Sequence, residues 1–186
     1  GSTITLPILG QPIFMDAFFF FLLCRIGYIN PMSKRQIRTP AISLGTRWPC
    51  TVFGTQKGSP RLWVLDTTVP GWVRQVTKSI TPTRTLFLVA SKSGGTIEVM
   101  SLFGHFWNLL TKAKGNYGGR HFVAITDPGT SLEQMAKEYG FGQTFSNPPD
   151  IGGRYSVLSL FGLVPAALSG LNIMRLLDRA AGMAEQ

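Results

Sequence analysis

Cysteine is scarce in this chain: Cys24 and Cys50 are the only two in 186 residues, and no C-x-x-C pair occurs. Neither a disulfide framework nor a cysteine zinc site follows from them, and a reduced, cytoplasmic setting is the default expectation. Charge is also thin, at 15% against 44% apolar residues, the reverse of the balance that keeps a chain disordered. Only two histidines are present, and H-x-x-x-H, paired carboxylates and G-x-S-x-G are all missing. No metal and no cofactor is therefore expected. The apolar run Ala17-Phe-Phe-Phe-Phe-Leu-Leu-Cys24 is eight residues long between Asp16 and Arg25. A membrane span takes about 20 residues, and a signal peptide would need a basic start and a small-residue cleavage site. A buried strand or core helix fits the run, and no membrane partner is expected.

Acidic residues are almost absent from the first half. Residues 1–92 hold 11 Lys/Arg against Asp16 and Asp66, whereas residues 93–186 hold seven of each sign. A basic half suits anionic partners, from phosphorylated metabolites to nucleic acid. The dense basic cluster, Lys34-Arg35-Gln-Ile-Arg38, has no interleaved aromatics, so a nucleic-acid reading rests on charge alone and is not the one adopted.

From about residue 60 the pattern becomes regular. Arg61 to Asp66 reads as a strand, Val69 to Ile80 as a helix, Thr85 to Ala90 as a strand, and Thr96 to Lys114 as a long helix. On that helix Val99, Leu102, Phe103, Phe106 and Leu110 fall on one face. His121 to Thr126 is a further strand, closed by the turn Asp127-Pro-Gly129. Thr130-Ser-Leu-Glu133 is a capping box opening a short helix that stops at Gly140. Alternating strands and helices predict an α/β fold, a three-layer αβα sandwich with a mainly parallel sheet. Nearly all-apolar strands agree, since both sheet faces are then covered. Residues 1–60 carry Pro7, Pro12, Pro31, Pro40 and Pro49 without a clean period, and one early strand is expected among them. No internal repeat is present.

Ligands in such folds lie beyond the carboxyl ends of the strands. Ser91-Lys-Ser-Gly-Gly-Thr96 stands there, between a strand and a helix. The free N–H groups of a helix start, glycines that let a ligand approach, and the hydroxyls of Ser91, Ser93 and Thr96 make it a candidate phosphate cradle. The plainer reading is that Ser93 or Thr96 caps the helix. It is not a Walker A loop. Asp150-Ile-Gly-Gly-Arg-Tyr-Ser156 approaches a second helix start beside Arg154, whose guanidinium could hold a carboxylate, a phosphate or an enolate oxygen, or simply anchor the loop. Pro165 should kink or break the apolar stretch that follows. His105, His121 and Glu98 read as structural or solvated.

The passages LFLVASKSGGTIE, HFVAITDPGTSLEQMAKEYGF and DIGGRYSVLSLFGLVPAALSGLN resemble glucose-6-phosphate isomerase, most of all the isomerase half of bifunctional transaldolase–glucose-6-phosphate isomerases. The resemblance runs from about residue 59, or from Ser43, to the C-terminus. It implies a sugar-isomerase (SIS-type, flavodoxin-like) domain over residues 41–186, with residues 1–40 a divergent segment. It implies that Ser91, Lys92 (through its backbone), Ser93 and Thr96 hold the sugar phosphate, and that Arg154 steadies the enediolate of an aldose–ketose isomerisation. Ser43 and Gly153 are implied as lesser substrate contacts. Two departures stand out: Pro40-Ala-Ile-Ser43-Leu-Gly45 lacks the glycine pair of the family's Gly-Gly-Ser turn, and Pro149 replaces a polar or small residue. The family's glutamate base, with a histidine and a lysine, belongs to a second lobe not found here. The expectation is thus a phosphosugar-binding lobe, inactive alone, that works as a homodimer or with that lobe; the alternative is a non-catalytic regulatory module.

Overall fold

The computed structural model describes the backbone strand Phe19–Arg25 and residues 56–185. β1 (Phe19–Arg25) and β2 (Arg61–Leu65) are followed by α1 (Pro70–Ser79) and β3 (Thr85–Ser91). Next come α2 (Ile97–Lys114), β4 (Phe122–Thr126), α3 (Ser131–Glu138) and β5 (Gln143–Ser146). A 3-10 segment, Gly153–Leu158, leads into α4 (Leu160–Leu168), and α5 (Ile173–Ala184) ends the described chain. The strands lie in the order β2-β1-β3-β4-β5.

β3, β4 and β5 pair in parallel, with Ala90 beside Ile125 and Thr126 beside Ser146. β1 is antiparallel to both β2 and β3, so β2 points the same way as the parallel three. Four strands therefore deliver their carboxyl ends to one edge. The early apolar run does supply a strand, as the sequence suggested, but it runs against its neighbours and makes the sheet mixed.

Successive crossovers that step the same way across a sheet put their helices on one face. Here α1, α2 and α3 share that face, where Phe87, Val89, Phe122 and Ala124 meet Val76, Phe103, Phe106, Leu110 and Leu132. The alternate residues Leu88, Ala90, Val123 and Ile125 point to the other face and pack under Phe161 and Val164 of α4. Alternation along two strands thus feeds two apolar cores, and the three-layer expectation holds. All five residues read from the period of α2 are buried.

Three local differences from the sequence reading have simple causes. β5 is a short, partly exposed edge strand whose residues, Gln143-Thr-Phe-Ser146, carry little apolar signal. Pro165 does not break α4, which runs on to Leu168, because the missing N–H costs a single bond near the helix end. The final helix α5, not anticipated, starts where the Asn172 side chain accepts the Arg175 N–H at 2.9 Å.

The Phe122 ring, fully buried on the α2 face, stacks on Phe87 at 4.8 Å and on the partly buried Phe141 at 5.3 Å, and meets the edge of Phe103 at 5.3 Å. Phe122→Ala is expected to remove about 3–5 kcal/mol of unfolding free energy in urea denaturation. A loss below about 1 kcal/mol would contradict this packing.

Candidate functional site

β3 ends at Ser91, a residue with no solvent exposure. Its hydroxyl accepts the Gly94 N–H at 3.0 Å and lies 3.3 Å from the Thr96 hydroxyl, closing residues 91–96 into a compact loop. Gly94 takes φ +75°, a left-handed conformation open to glycine at little cost. A Cβ there would sit 2.6 Å from Thr130 Cβ and 2.9 Å from the Leu132 nitrogen. The loop is thereby pressed against the start of α3. Ser131 Oγ donates to the Gly94 carbonyl at 2.9 Å and Thr126 Oγ1 donates to the Ser91 carbonyl at 2.7 Å.

Thr96 occupies the N-cap of the 18-residue α2, yet its side chain makes no capping bond. The capping explanation for Thr96 therefore does not apply, and the amide groups of the first helical turn stay at the positive end of the helix without a side-chain acceptor. Ser93 and Gly95 are exposed beside them. Chemically, the arrangement offers backbone donors and hydroxyls to an anion at the loop's open side.

Lys92 behaves differently from its neighbours. Its ammonium donates to Asp127 Oδ2 and, at 3.0 Å, to the Pro149 carbonyl. Asp127 follows β4 and Pro149 follows β5, so one side chain joins three strand ends. Asp127 reads in the sequence only as the start of a turn, and its pairing with Lys92 is a finding of the structure. The signal was present in the register: Ala90 beside Ile125 puts Lys92 opposite Asp127 two residues on. At the next strand end Asn147 is fully buried, and its N–H donates to the Thr126 carbonyl at 2.8 Å.

The chain then turns through Gly152 and buried Gly153 into the 3-10 segment that carries Arg154 in its backbone. Ser156 Oγ donates to the Gly153 carbonyl at 2.5 Å, and Ser159 accepts the Phe161 N–H at 3.4 Å to open α4. The loop before Arg154 and the 91–96 loop thus meet at the Lys92–Pro149 bond. Ser43 and the Lys34–Arg38 cluster lie outside the described residues.

The remaining candidates are accounted for by structure. His105 Nε2 sits 3.0 Å from Thr77 Oγ1, and His121 Nδ1 sits 3.1 Å from the Thr85 carbonyl. In the α3 capping box Thr130 Oγ1 accepts the Glu133 N–H at 3.3 Å, while Glu133 accepts the Gly129 N–H at 2.7 Å. That backbone bond, with Lys137 beside it, holds the Glu133 carboxyl below its usual range. Between α1 and α2 a groove of about 370 Å³, lined in part by Thr68, Arg74 and His105, lies apart from the 91–96 loop. Among the described residues no cluster of three or more His, Cys, Asp or Glu is set to hold a metal, and no helix is long and apolar enough to cross a membrane.

The two glycines of the loop should separate in a test of the fold. Gly94→Ala is expected to lower unfolding stability by about 1–3 kcal/mol through its backbone strain, and by more from the collision with Thr130. At Gly95 a Cβ would find Ser131 Oγ at an ordinary 3.7 Å, so Gly95→Ala should stay within about 0.5 kcal/mol of wild type. Equal stabilities in thermal melts of the two variants would contradict the loop geometry.

Comparison with known proteins places this architecture. The family profile of phosphoglucose isomerase matches residues 44–186. A glucose-6-phosphate isomerase of Carboxydothermus hydrogenoformans is 40% identical over 131 residues, which is 70% of this chain and 28% of that protein. One from Citrifermentans bemidjiense is 34% identical over 140 residues, covering 74% of this chain and 26% of the relative. A crystal structure of a hypothetical protein from Thermus thermophilus superposes with a TM-score of 0.62 at 34% identity, over 65% of this chain and 29% of that one. The chain spans under a third of the length of these curated relatives. With residues 44–186 under one family profile, the chain belongs to the phosphoglucose isomerase family.

Proposed function

We propose that residues 91–96 hold the phosphate of a hexose phosphate, glucose 6-phosphate or fructose 6-phosphate, within an aldose–ketose isomerase. The observation that carries the reading is the uncapped start of α2. Thr96 leaves the helical N–H groups without a side-chain acceptor, while the hydroxyls of Ser91 and Thr96 face each other 3.3 Å apart. A dianionic phosphate meets there the positive end of a helix dipole and several donors at once. In this reading Ser91, Ser93 and Thr96 contribute hydroxyls, Lys92 contributes its backbone, and Gly153 borders the sugar.

Arg154 has the second role. Moving a proton between C1 and C2 passes through an enediolate, whose negative oxygen needs a cation or donor. A guanidinium does this without giving up a proton of its own. The step also needs a base near the migrating proton. The family resemblance puts a glutamate in that role in another lobe, so residues 1–186 are read as holding the substrate and turnover as depending on a base from outside them. The domain in this account is residues 41–186, with glycolysis and gluconeogenesis as its metabolic setting and the cytoplasm as its place.

Titration calorimetry with fructose 6-phosphate on wild type and on Ser93→Ala/Thr96→Ala tests the assignment. The double variant is expected to lose at least about tenfold in affinity, since two donors to a charged ligand are removed. Equal binding by both proteins would sink the phosphate-loop role. In a coupled isomerase assay the same wild-type protein should show no turnover, and turnover would show that a base lies within the 186 residues.

A further inference from the structure

The ends of β3, β4 and β5 carry three polar residues at equivalent positions, Lys92, Asp127 and Asn147. Lys92 and Asp127 form an ion pair with side chains only 23% and 12% exposed, and Lys92 also holds the Pro149 carbonyl at 3.0 Å. The second carboxylate oxygen, Asp127 Oδ1, is buried without a donor, as is Asn147 Oδ1. Charges taken out of water and acceptors left without donors make a poor stabiliser. What such a pair supplies is a fixed position. Around it the backbone is already tied down: Asn147 Nδ2 donates to the Pro148 carbonyl at 3.0 Å, and the Ile151 N–H donates to the same carbonyl at 3.3 Å.

We infer that Asp127 is a positioning residue: it holds the Lys92 ammonium so that Lys92 fixes the loop leading to Arg154 at a set distance from the phosphate loop. This rests on the phosphosugar reading and deepens it. The sugar phosphate ends in the first loop, and the reacting carbons must lie near the second. A ligand spanning both loops feels their separation, whereas free phosphate meets the first loop alone. Removing the carboxylate frees Lys92 from β4 and, with it, the bond to Pro149. Misplacement of this kind weakens a spanning ligand even where every direct contact residue is intact.

The test is calorimetry of fructose 6-phosphate and inorganic phosphate on wild type, Asp127→Asn, Lys92→Met, the double variant and Lys92→Arg. Asp127→Asn and Lys92→Met are each expected to weaken fructose 6-phosphate on the order of tenfold, with the double variant no worse than the weaker single, because both disable one device. Lys92→Arg, which keeps a cation for Asp127, should recover most of the affinity, and the affinity of Asp127→Asn for inorganic phosphate should not fall. The inference is overturned if the single losses add in the double variant, if Asp127→Asn weakens both ligands alike, or if it weakens neither. Wild type binding neither ligand removes the phosphosugar reading itself, a result distinct from those three. Should Asp127→Asn fail to fold, Lys92→Met against Lys92→Arg decides alone: equal affinities overturn the inference.

Discussion

The parallel register of β3, β4 and β5 is the constraint on which the rest of this molecule depends. It brings Ser91, Asp127 and Asn147 to one edge, lets Thr126 donate to the Ser91 carbonyl, and sets Lys92 opposite Asp127. The register holds because Phe87, Val89, Phe122 and Ala124 face one core while Leu88, Ala90, Val123 and Ile125 face the other. A slip of one residue would exchange the two sets and bury neither properly. Packing on both faces of the sheet therefore fixes the geometry of the polar loop at residues 91–96 and of the strand-end residues Asp127 and Asn147 beside it.

That dependence explains what was legible in the sequence. The α2 face could be read from the spacing of Val99, Leu102, Phe103, Phe106 and Leu110, because burial on one side of a helix leaves a period. The loop at 91–96 could be read from its glycines and hydroxyls between two apolar elements. The Lys92–Asp127 pair could not be read along the chain, since 35 residues separate the partners. It belongs to the strand register, and a register is knowable from sequence only once the pairing is decided. β5 escaped for another reason. Its four residues are partly exposed at the sheet edge, where no apolar alternation is required.

The direction of β1 was hidden by its own composition. Seven residues, Phe19–Arg25, fill the place between β2 and β3, and an almost unbroken apolar run gives no face that distinguishes parallel from antiparallel. Here it pairs Phe19 with Ser91, so its first residue stands beside the loop that ends β3. The crossovers from β2 to β5 proceed as a parallel arrangement requires, with this strand set against them. Membership of the phosphoglucose isomerase family rests on residues 44–186 and is independent of it.

In the proposed function an anion is held at the start of α2 and not in the groove between α1 and α2. Amide NMR during a titration with fructose 6-phosphate tests it most directly. Saturable shifts are expected at Gly94, Gly95, Thr96 and Ile97, with Arg74 and His105 unmoved. Shifts confined to Arg74, His105 and their neighbours, with the 94–97 amides still, would contradict it.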